Sequence, residues 1–308
     1  MKAIQIDNTS LPQKLGAVDL PVPQPGEKEI LVKVHAAGVT PTELFWYPTT
    51  HTRSGELRNR AVPGHEFSGV VAALGGHAGG FEIGSEVYGL NDWFADGATA
   101  EFCLTQPQSV AFKPRTLVHS EAATVPIAAL TAWQGMYDRV DLQPGERVLI
   151  HGAAGAVGVF ATQFARLRGA VVIATASARA AAFLRQLGAD EVIDYKSERF
   201  EDRAGKVDVV FDAVGGQILD RSWSVLRSGG RLVTIATDSG AATDDRTKNA
   251  FLLVEANQYQ LKETARLLDA GTIRTFIRAE VSMQQAPLAY TGGFREQTGH
   301  GKIVVNIP

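Results

Sequence analysis

The tract at 145–166, GERVLIHGAAGAVGVFATQFAR, constrains this chain more than any other. Residues 147–152 (RVLIHG) read as a buried strand, a glycine and alanine loop follows, and 157–168 carries the apolar spacing of a helix. Gly152, Gly155 and Gly158 stand three residues apart, so the pattern is GxxGxxG rather than the more usual GxGxxG. The physics is shared: small residues let the backbone approach a pyrophosphate, and a helix N-terminus offers free N–H groups and a partial positive charge. Gly158 is placed to let the helix pack close on the strand. The loop from Gly152 through Ala153, Ala154, Gly155, Ala156 and Val157 to Gly158 therefore reads as a dinucleotide site, because a second strand follows one helix later, as the motif demands.

Around this loop strands and helices alternate. Residues 171–176 (VVIATA), 191–193, 207–213 (VDVVFDA), 231–236 (RLVTIA) and 251–254 (FLLV) read as strands, and 178–187 and 258–270 as helices. Short apolar runs joined by helices indicate an α/β fold with a parallel sheet covered on both faces. The end of the second strand selects the dinucleotide. An NAD site usually places Asp or Glu there to accept from ribose hydroxyls, whereas a 2′-phosphate favours hydroxyls and cations. The text ATASARAAAF has no acid at that point, and Ser177 and Arg179 follow at once. A guanidinium binds phosphate in bidentate fashion, so these residues favour NADPH. Tyr195, in EVIDYK after the next strand, is a candidate third wall of the adenine end.

The first third of the chain has another grammar. Segments such as 30–35 (ILVKVH), 67–74 (FSGVVAAL), 86–89 and 100–104 are rich in β formers and are punctuated by Gly and Pro clusters, which predicts a barrel-like domain of short strands and long turns. Helical spacing begins near Ser120, with Ser120 or His119 as N-cap followed by Glu121. After 270 the text returns to isolated strands, including 302–306 (KIVVN). The expected organisation is a domain at 1–119, rejoined by 271–308, with a βαβ block inserted at 120–270. A length of 308 residues suits two cores rather than one.

Composition narrows the partners. With 45% hydrophobic and 20% charged residues and a formal net charge of -3, the chain lacks the basic excess that nucleic acid or an anionic membrane would attract. A small-molecule substrate is expected. The lone Cys103 forms no internal disulfide and no multi-cysteine zinc cage, and its strand context makes it a half-buried hydrophobe. The opening MKAIQIDN shows no basic region before an apolar core, and no stretch approaches the roughly 20 apolar residues of a membrane span. A cytoplasmic location is the expectation.

Together PGHEFSGVV (63–71), VPIAALTAW (125–133), GERVLIHGAAGAVG (145–158), LGADEVIDY (187–195), DAVGG (212–216) and GKIVV (301–305) resemble the zinc-independent quinone oxidoreductase, or zeta-crystallin-like, branch of the medium-chain dehydrogenase/reductase superfamily. The resemblance implies a GroES-like β-barrel catalytic domain, a six-stranded doubly wound Rossmann domain and a homodimer joined through the last Rossmann strands. By position it implies Thr131 near the nicotinamide and Val214 and Gly215 along its ribose. Ile235 and Ala236, together with Phe251, Leu252 and Val254, would offer backbone groups to the cofactor, and Lys302 would approach from the C-terminal segment. In AAGVTPTEL, Thr40 stands where the branch commonly has asparagine.

His65 and Glu66 in GHE also resemble the ligand pair of zinc alcohol dehydrogenases, but Thr40 occupies the place of the first cysteine ligand. No metal is expected. The implied function is hydride transfer from NADPH to a quinone or an α,β-unsaturated carbonyl, an acceptor already activated by conjugation. Thr40, Glu43, Phe45, Trp46, Tyr47, Trp93 and Phe94 are candidates for the substrate cleft, since an aromatic wall suits a planar acceptor and Tyr47 is a candidate proton donor. Two rival readings are a zinc-dependent alcohol dehydrogenase and a non-catalytic NADPH-binding sensor or scaffold. A weaker one, an S-adenosylmethionine site, is disfavoured by Ser177 and Arg179.

Overall fold

The computed structural model describes residues 1–10, 13–236, 244–294 and 299–308. The chain divides into two compact units, Met1–Ile127 with Ala256–Pro308, and Ala128–Glu255. The first holds β1 (Lys2–Asp7), β2 (Lys14–Asp19), β3 (Ile30–Val39), β4 (Arg60–Ala61), β5 (Glu66–Leu74), β6 (Glu86–Leu90), β7 (Phe102–Thr105) and β8 (Val110–Phe112). The second holds β9 (Arg147–His151), β10 (Val171–Ala176), β11 (Glu191–Asp194), β12 (Val207–Asp212) and β13 (Leu226–Thr234). The chain then returns to the first unit with β14 (Ile277–Ser282) and β15 (Lys302–Asn306).

In the first unit β2, β1 and β4 form a small sheet, and the larger sheet runs β14-β15-β3-β5-β6-β8, with β7 also on β3. The centre is β3. Its residues Ile30, Val32 and Val34 are buried on the core side, and of the other side only Lys33 is exposed, since Leu31 and the run from Ala36 to Val39 are buried as well, as befits a strand covered on both faces for most of its length. These side chains share a core with Ile4, Ile6, Phe67, Val71, Val281, Val305 and Ile307, so both ends of the sequence meet in one apolar cluster. Cys103 is buried on β7, where burial raises its thiol pKa and leaves a neutral, unreactive group.

Two boundaries depart from the sequence reading. The helix Gln258–Asp269 belongs to the first unit, so the divisions fall after Ile127 and after Glu255 rather than after 119 and 270. Tyr88 Oη donates to the Leu261 carbonyl at 2.6 Å, Gln258 Nε2 donates to Pro107 O at 2.7 Å, and Thr116 donates through N and Oγ1 to Asp269 Oδ1 at 3.0 Å. Periodicity reveals an amphipathic helix, but not which sheet its apolar face will cover. The helical tract after 119 is also broken. A short helix His119–Ala122 is capped at Val118, whose N–H is taken by the Glu121 carboxylate at 3.0 Å, and a fresh helix Pro126–Trp133 starts on a proline with no amide to lose.

The second unit is a parallel sheet in the order β11-β10-β9-β12-β13. The chain steps outward from β9 through β10 to β11, then returns to the other side of β9 for β12 and β13. That reversal at β9 is the topological switch point at which such sheets open a crevice beyond their carboxyl ends. The sixth strand expected at 251–254 is reduced, among the described residues, to one parallel bridge from Thr234 to Phe251, with Leu252 N donating to Thr234 O at 2.9 Å. Its apolar text suggested a buried strand, yet Leu253 is 65% exposed.

Candidate functional site

At the carboxyl end of β9 the chain turns through Gly152, whose φ of +72° is a backbone state that L side chains rarely adopt. Gly155 N then donates to Gly152 O at 3.0 Å, and Gly155 caps the helix Ala156–Leu167. The helix thus starts one residue earlier than its apolar pattern indicated. Gly158 is buried in its first turn, where an added Cβ would lie 2.6 Å from the Ala153 Cα. Only glycine permits this approach of helix to loop. Gly155 differs: it is exposed, and its added Cβ would meet only Gly152 O, at 3.2 Å. Ala154, Ala156 and Val157 are partly exposed around it, while Ala153 faces inward. The loop therefore shows solvent a set of small residues and the free amides of a helix N-terminus.

The neighbouring strands bring the other expected cofactor residues to the same sheet edge. Ser177 follows β10 and precedes a short 3-10 turn carrying Arg179, which is exposed and has no hydrogen-bond or ion-pair partner among the described residues. Tyr195 is 59% exposed, and its N–H donates to Ala176 O at 3.2 Å, which sets it beside the end of β10. Asp194, the acid closest to this point in the register, accepts from Lys196 N and Ser197 Oγ at 3.1 Å and is committed to its own turn. After β12 come Val214 and Gly215, and after β13 come Ile235 and Ala236. Leu252 and Phe251 meet the end of β13, Val254 is buried just beyond, and Thr131 is buried in the helix Pro126–Trp133.

Two residues here escaped the sequence reading. Asp212 ends β12, is fully buried, and accepts from Val214 N and Gly215 N at 3.1 Å and from Thr234 Oγ1 at 2.7 Å. One carboxylate thus fixes the turn after β12 and pins it to β13, which allows Gly215 its φ of +76°. The signal was an Asp two residues before its turn in DAVGG, the spacing at which such side chains bond their own backbone. His151, the last residue of β9, bonds Ser222 Oγ through Nε2 and Thr175 Oγ1 through Nδ1, both at 3.0 Å. Ser222 already donates to Ile218 O, so Nε2 must be the donor and Nδ1 the acceptor. The ring is a neutral tie between β9, β10 and the helix Gly216–Ser222. Burial is the main cause that lowers its pKa to about 4, with Arg221 adding repulsion and Glu201 opposing.

The first unit contains a buried polar cluster. The register pairs Ile303 with Val39 and Phe67 with Ala37, so one residue further Lys302 faces Thr40 and Glu66 faces Gly38. Lys302 Nζ pairs with Glu66 Oε1 and lies 3.3 Å from Thr40 Oγ1, while Glu66 Oε2 accepts from Ile127 N at 2.9 Å. The Glu66 carboxylate has room because Gly38 has no side chain; an added Cβ there would lie 2.6 Å from Oε1. Burial pulls the Lys302 amine down to about 7, and the Glu43 carboxylate opposes that shift. Glu43 is itself buried, accepts from Gly64 N, and places Oε2 3.6 Å from His65 Nδ1. His65 is buried against Trp93, with ring centroids 5.3 Å apart, and against Trp46 at 6.5 Å.

The structure divides the expected cleft residues. Thr40, Glu43, Trp46 and Trp93 gather around His65 and Lys302, whereas Phe45 is 78% exposed and Tyr47 is 55% exposed and stacked on His51. Phe94 packs edge-on against Tyr47 and accepts Arg53 over its face. Two aromatic groups result rather than one wall.

Residues 26–119 match the family model of the alcohol dehydrogenase GroES-like domain, and residues 187–305 match that of the zinc-binding dehydrogenases. The mitochondrial NAD(P)H oxidoreductase RTN4IP1 of Mus musculus is 32% identical over 91% of this chain and 82% of its own length. The 2-methylene-furan-3-one reductase of Solanum lycopersicum is 32% identical over 83% of this chain and 66% of its own. Among solved structures, the quinone oxidoreductase of Coxiella burnetii superposes with a TM-score of 0.88, at 30% identity, over 100% of this chain and 99% of that one. The description of the second family names zinc, and the residues present do not suit it. Glu66 has one oxygen on an ammonium and the other on an amide, Thr40 accepts from that same ammonium, and no group of three or more His, Cys, Asp or Glu side chains is gathered for a metal among the described residues.

The glycines of the phosphate loop separate by substitution. Gly158→Ala should lower unfolding free energy by about 2 kcal/mol or more, since the backbone itself must move, while Gly155→Ala should change it by less than about 1 kcal/mol. Urea denaturation of both variants checks this, and equal midpoints would contradict the packing described. His151 gives a pH dependence. Between about 6.5 and about 4 the unfolded chain binds a proton that the folded chain does not, so stability present above pH 6.5 is lost as the pH falls through that window, by roughly 3 kcal/mol. Melting temperatures of the parent and His151→Gln across this range should diverge, with the variant the flatter; parallel curves would refute the assignment.

Proposed function

This chain belongs to the quinone oxidoreductase branch of the medium-chain dehydrogenase/reductase superfamily, and from that membership we propose that it is an NADPH-dependent reductase of quinones or α,β-unsaturated carbonyls that works without a metal. The observation that carries the reading is the sheet edge of the second unit, where the open glycine loop, the uncommitted Arg179 and the absence of an acid after β10 lie at one switch point. The relatives' own names supply the substrate class: one reduces a conjugated enone, and one is a quinone oxidoreductase.

When bound, NADPH supplies the hydride, and conjugation in the acceptor carries the resulting charge to oxygen. The chain's part is placement. The loop from Gly152 to Gly158, with Gly155 at the helix tip, receives the pyrophosphate, and Gly158 sets how close the helix stands. Ser177, Arg179 and Tyr195 take the 2′-phosphate end, and exposed Lys196 adds a second cation at that edge. Asp212 keeps Val214 and Gly215 in the turn that meets the nicotinamide ribose, beside Ile235, Ala236, Phe251, Leu252 and Val254. Thr131 serves the nicotinamide, and Thr40, Trp46 and Trp93 serve the acceptor. Lys302, read from the sequence as a cofactor contact, is committed within its own unit to Glu66 and Thr40.

No helix among the described residues is long and apolar enough to cross a membrane. The cytoplasmic expectation meets a mouse relative that is mitochondrial, so the compartment is a matter for imaging of the tagged chain. A homodimer through the last strands of the parallel sheet remains part of this proposal: β13 ends that sheet, and among the described residues only Thr234 at its tip bridges onward, to Phe251, so the rest of the edge is free to pair with a second copy, which light scattering reads directly.

The cofactor assignment is tested by Arg179→Ala, which should raise KM for NADPH roughly tenfold or more and leave KM for NADH nearly unchanged. An equal effect on both cofactors would remove the phosphate pocket. The chemistry is tested by NADPH oxidation with a panel of quinones, alkenals and unconjugated ketones. Turnover confined to conjugated acceptors is the expected result, and turnover of simple ketones or of none would overturn it.

A further inference from the structure

Two tryptophans from distant parts of the first unit meet edge to face. The ring centroids of Trp46 and Trp93 are 5.5 Å apart and their planes cross at 75°. Each ring stands on irregular chain: Trp46 follows the turn Pro41–Phe45, and Trp93 lies in the loop after β6. A ring carried by a loop keeps one direction only if the backbone beside it is held. Here the bonds that hold both backbones converge on a single side chain.

Arg58 turns its guanidinium between the two loops, with a side chain 12% exposed. Nη1 donates to Pro48 O at 3.0 Å, two residues past Trp46, and to Phe94 O at 3.2 Å and Ala95 O at 3.4 Å, one and two residues past Trp93. Nη2 donates to Asp96 Oδ1 at 2.9 Å, and that same oxygen accepts from Val62 N at 3.0 Å. The Arg58 backbone is fixed in turn, since its N–H donates to Thr50 O at 2.8 Å and its carbonyl accepts from Asn8 Nδ2 at 2.7 Å. An ion pair with the half-exposed Asp96 would by itself add little. What matters is the planar fork, whose donors point in fixed directions and so hold carbonyls of two loops on one rigid group. Arg53 also crosses between these loops, pairing with Asp92 and lying over Phe94, but its side chain is 67% exposed.

We propose that Arg58 is a positioning residue of the acceptor site, holding the loops of Trp46 and Trp93 so that the two rings keep the edge-to-face angle against which a planar acceptor is seated. It acts through the two backbones. The proposal rests on the reading that Trp46 and Trp93 serve the acceptor, and its first test needs no turnover, so the two can fail separately.

Near-UV circular dichroism reads the ring pair, because indoles in contact couple their transitions, and the other two of the four tryptophans, Trp133 and Trp223, lie in the second unit. Trp93→Phe in the full chain defines the signal owed to the pair. Arg58→Met should lose most of that signal with its far-UV spectrum unchanged. Arg58→Lys keeps the charge but offers one nitrogen in place of the fork, and should lose nearly as much; Arg53→Ala should keep the signal. In turnover, both Arg58 variants should raise KM for a quinone on the order of tenfold while KM for NADPH stays within about twofold. A parent-like aromatic signal in folded Arg58→Met or in Arg58→Lys overturns the proposal, and so does a rise of both KM values together. Arg58→Lys, the milder change, carries the test if Arg58→Met does not fold. A parent chain that reduces no conjugated acceptor defeats the reading of the substrate, and the spectra still decide whether Arg58 places the rings.

Discussion

A helix can sit this near a strand-ending loop only if one residue contributes no side chain. At Gly158 the first turn of the helix Ala156–Leu167 comes so close to Ala153 that a Cβ would stand 2.6 Å from its Cα. That approach sets the direction of the helix and therefore where its free N–H groups point. It also fixes how the helix lies against the sheet, and with it which strand ends surround the same opening. Gly152 turns the chain out of β9, Gly155 keeps the mouth open, and Asp212 holds the facing turn in place. Binding geometry here follows from the absence of atoms as much as from the presence of functional groups.

The first unit solves a different problem by the same means. The fully buried Glu66 carboxylate meets the buried Lys302 ammonium in a space opened by Gly38. Breaking such a pair leaves one charge stranded in an apolar interior, a cost of about 3–5 kcal/mol, whereas the intact pair adds little net stability. The cluster is therefore better understood as a constraint on which arrangement of β3, β5 and β15 is tolerated. Any register that parts Lys302 from Glu66 is penalised heavily.

Much of this was legible in the text of the chain. The three glycines mark strand, loop and helix in order: Gly152 and Gly158 answer steric demands that few other residues meet, and Gly155 leaves the loop open between them. The lack of an acid after VVIATA, followed by Ser177 and Arg179, reads directly as electrostatics. What failed to show was tertiary choice. The helix Gln258–Asp269 has an apolar face that either unit could have used, and only the contacts of Tyr88 and Thr116 settle its place. FLLV looked like a strand because composition cannot see that Leu253 faces water. Phe45 and Tyr47 looked like neighbours of Trp46 and Trp93 because adjacency in sequence says nothing of the direction a short turn will send a ring. His151 and Lys302 carry partners 24 to 262 residues away in sequence, and no local pattern encodes such pairs.

The place of β15 also bears on how the chain is made. The second unit, at 128–255, is contiguous and emerges from the ribosome whole, while the first unit waits for residues that follow it. Until 302–306 appear, the Ala36–Val39 end of β3 offers an unpaired apolar border through most of synthesis, and Val281, Val305 and Ile307 are missing from the cluster that encloses Ile4 and Phe67. An early-folding insert tethered to an unfinished host is the situation in which nascent chains recruit chaperones, because an open strand edge pairs readily with whatever strand is at hand. Vectorial synthesis thus exposes the part of this protein that is most deeply enclosed once it is complete.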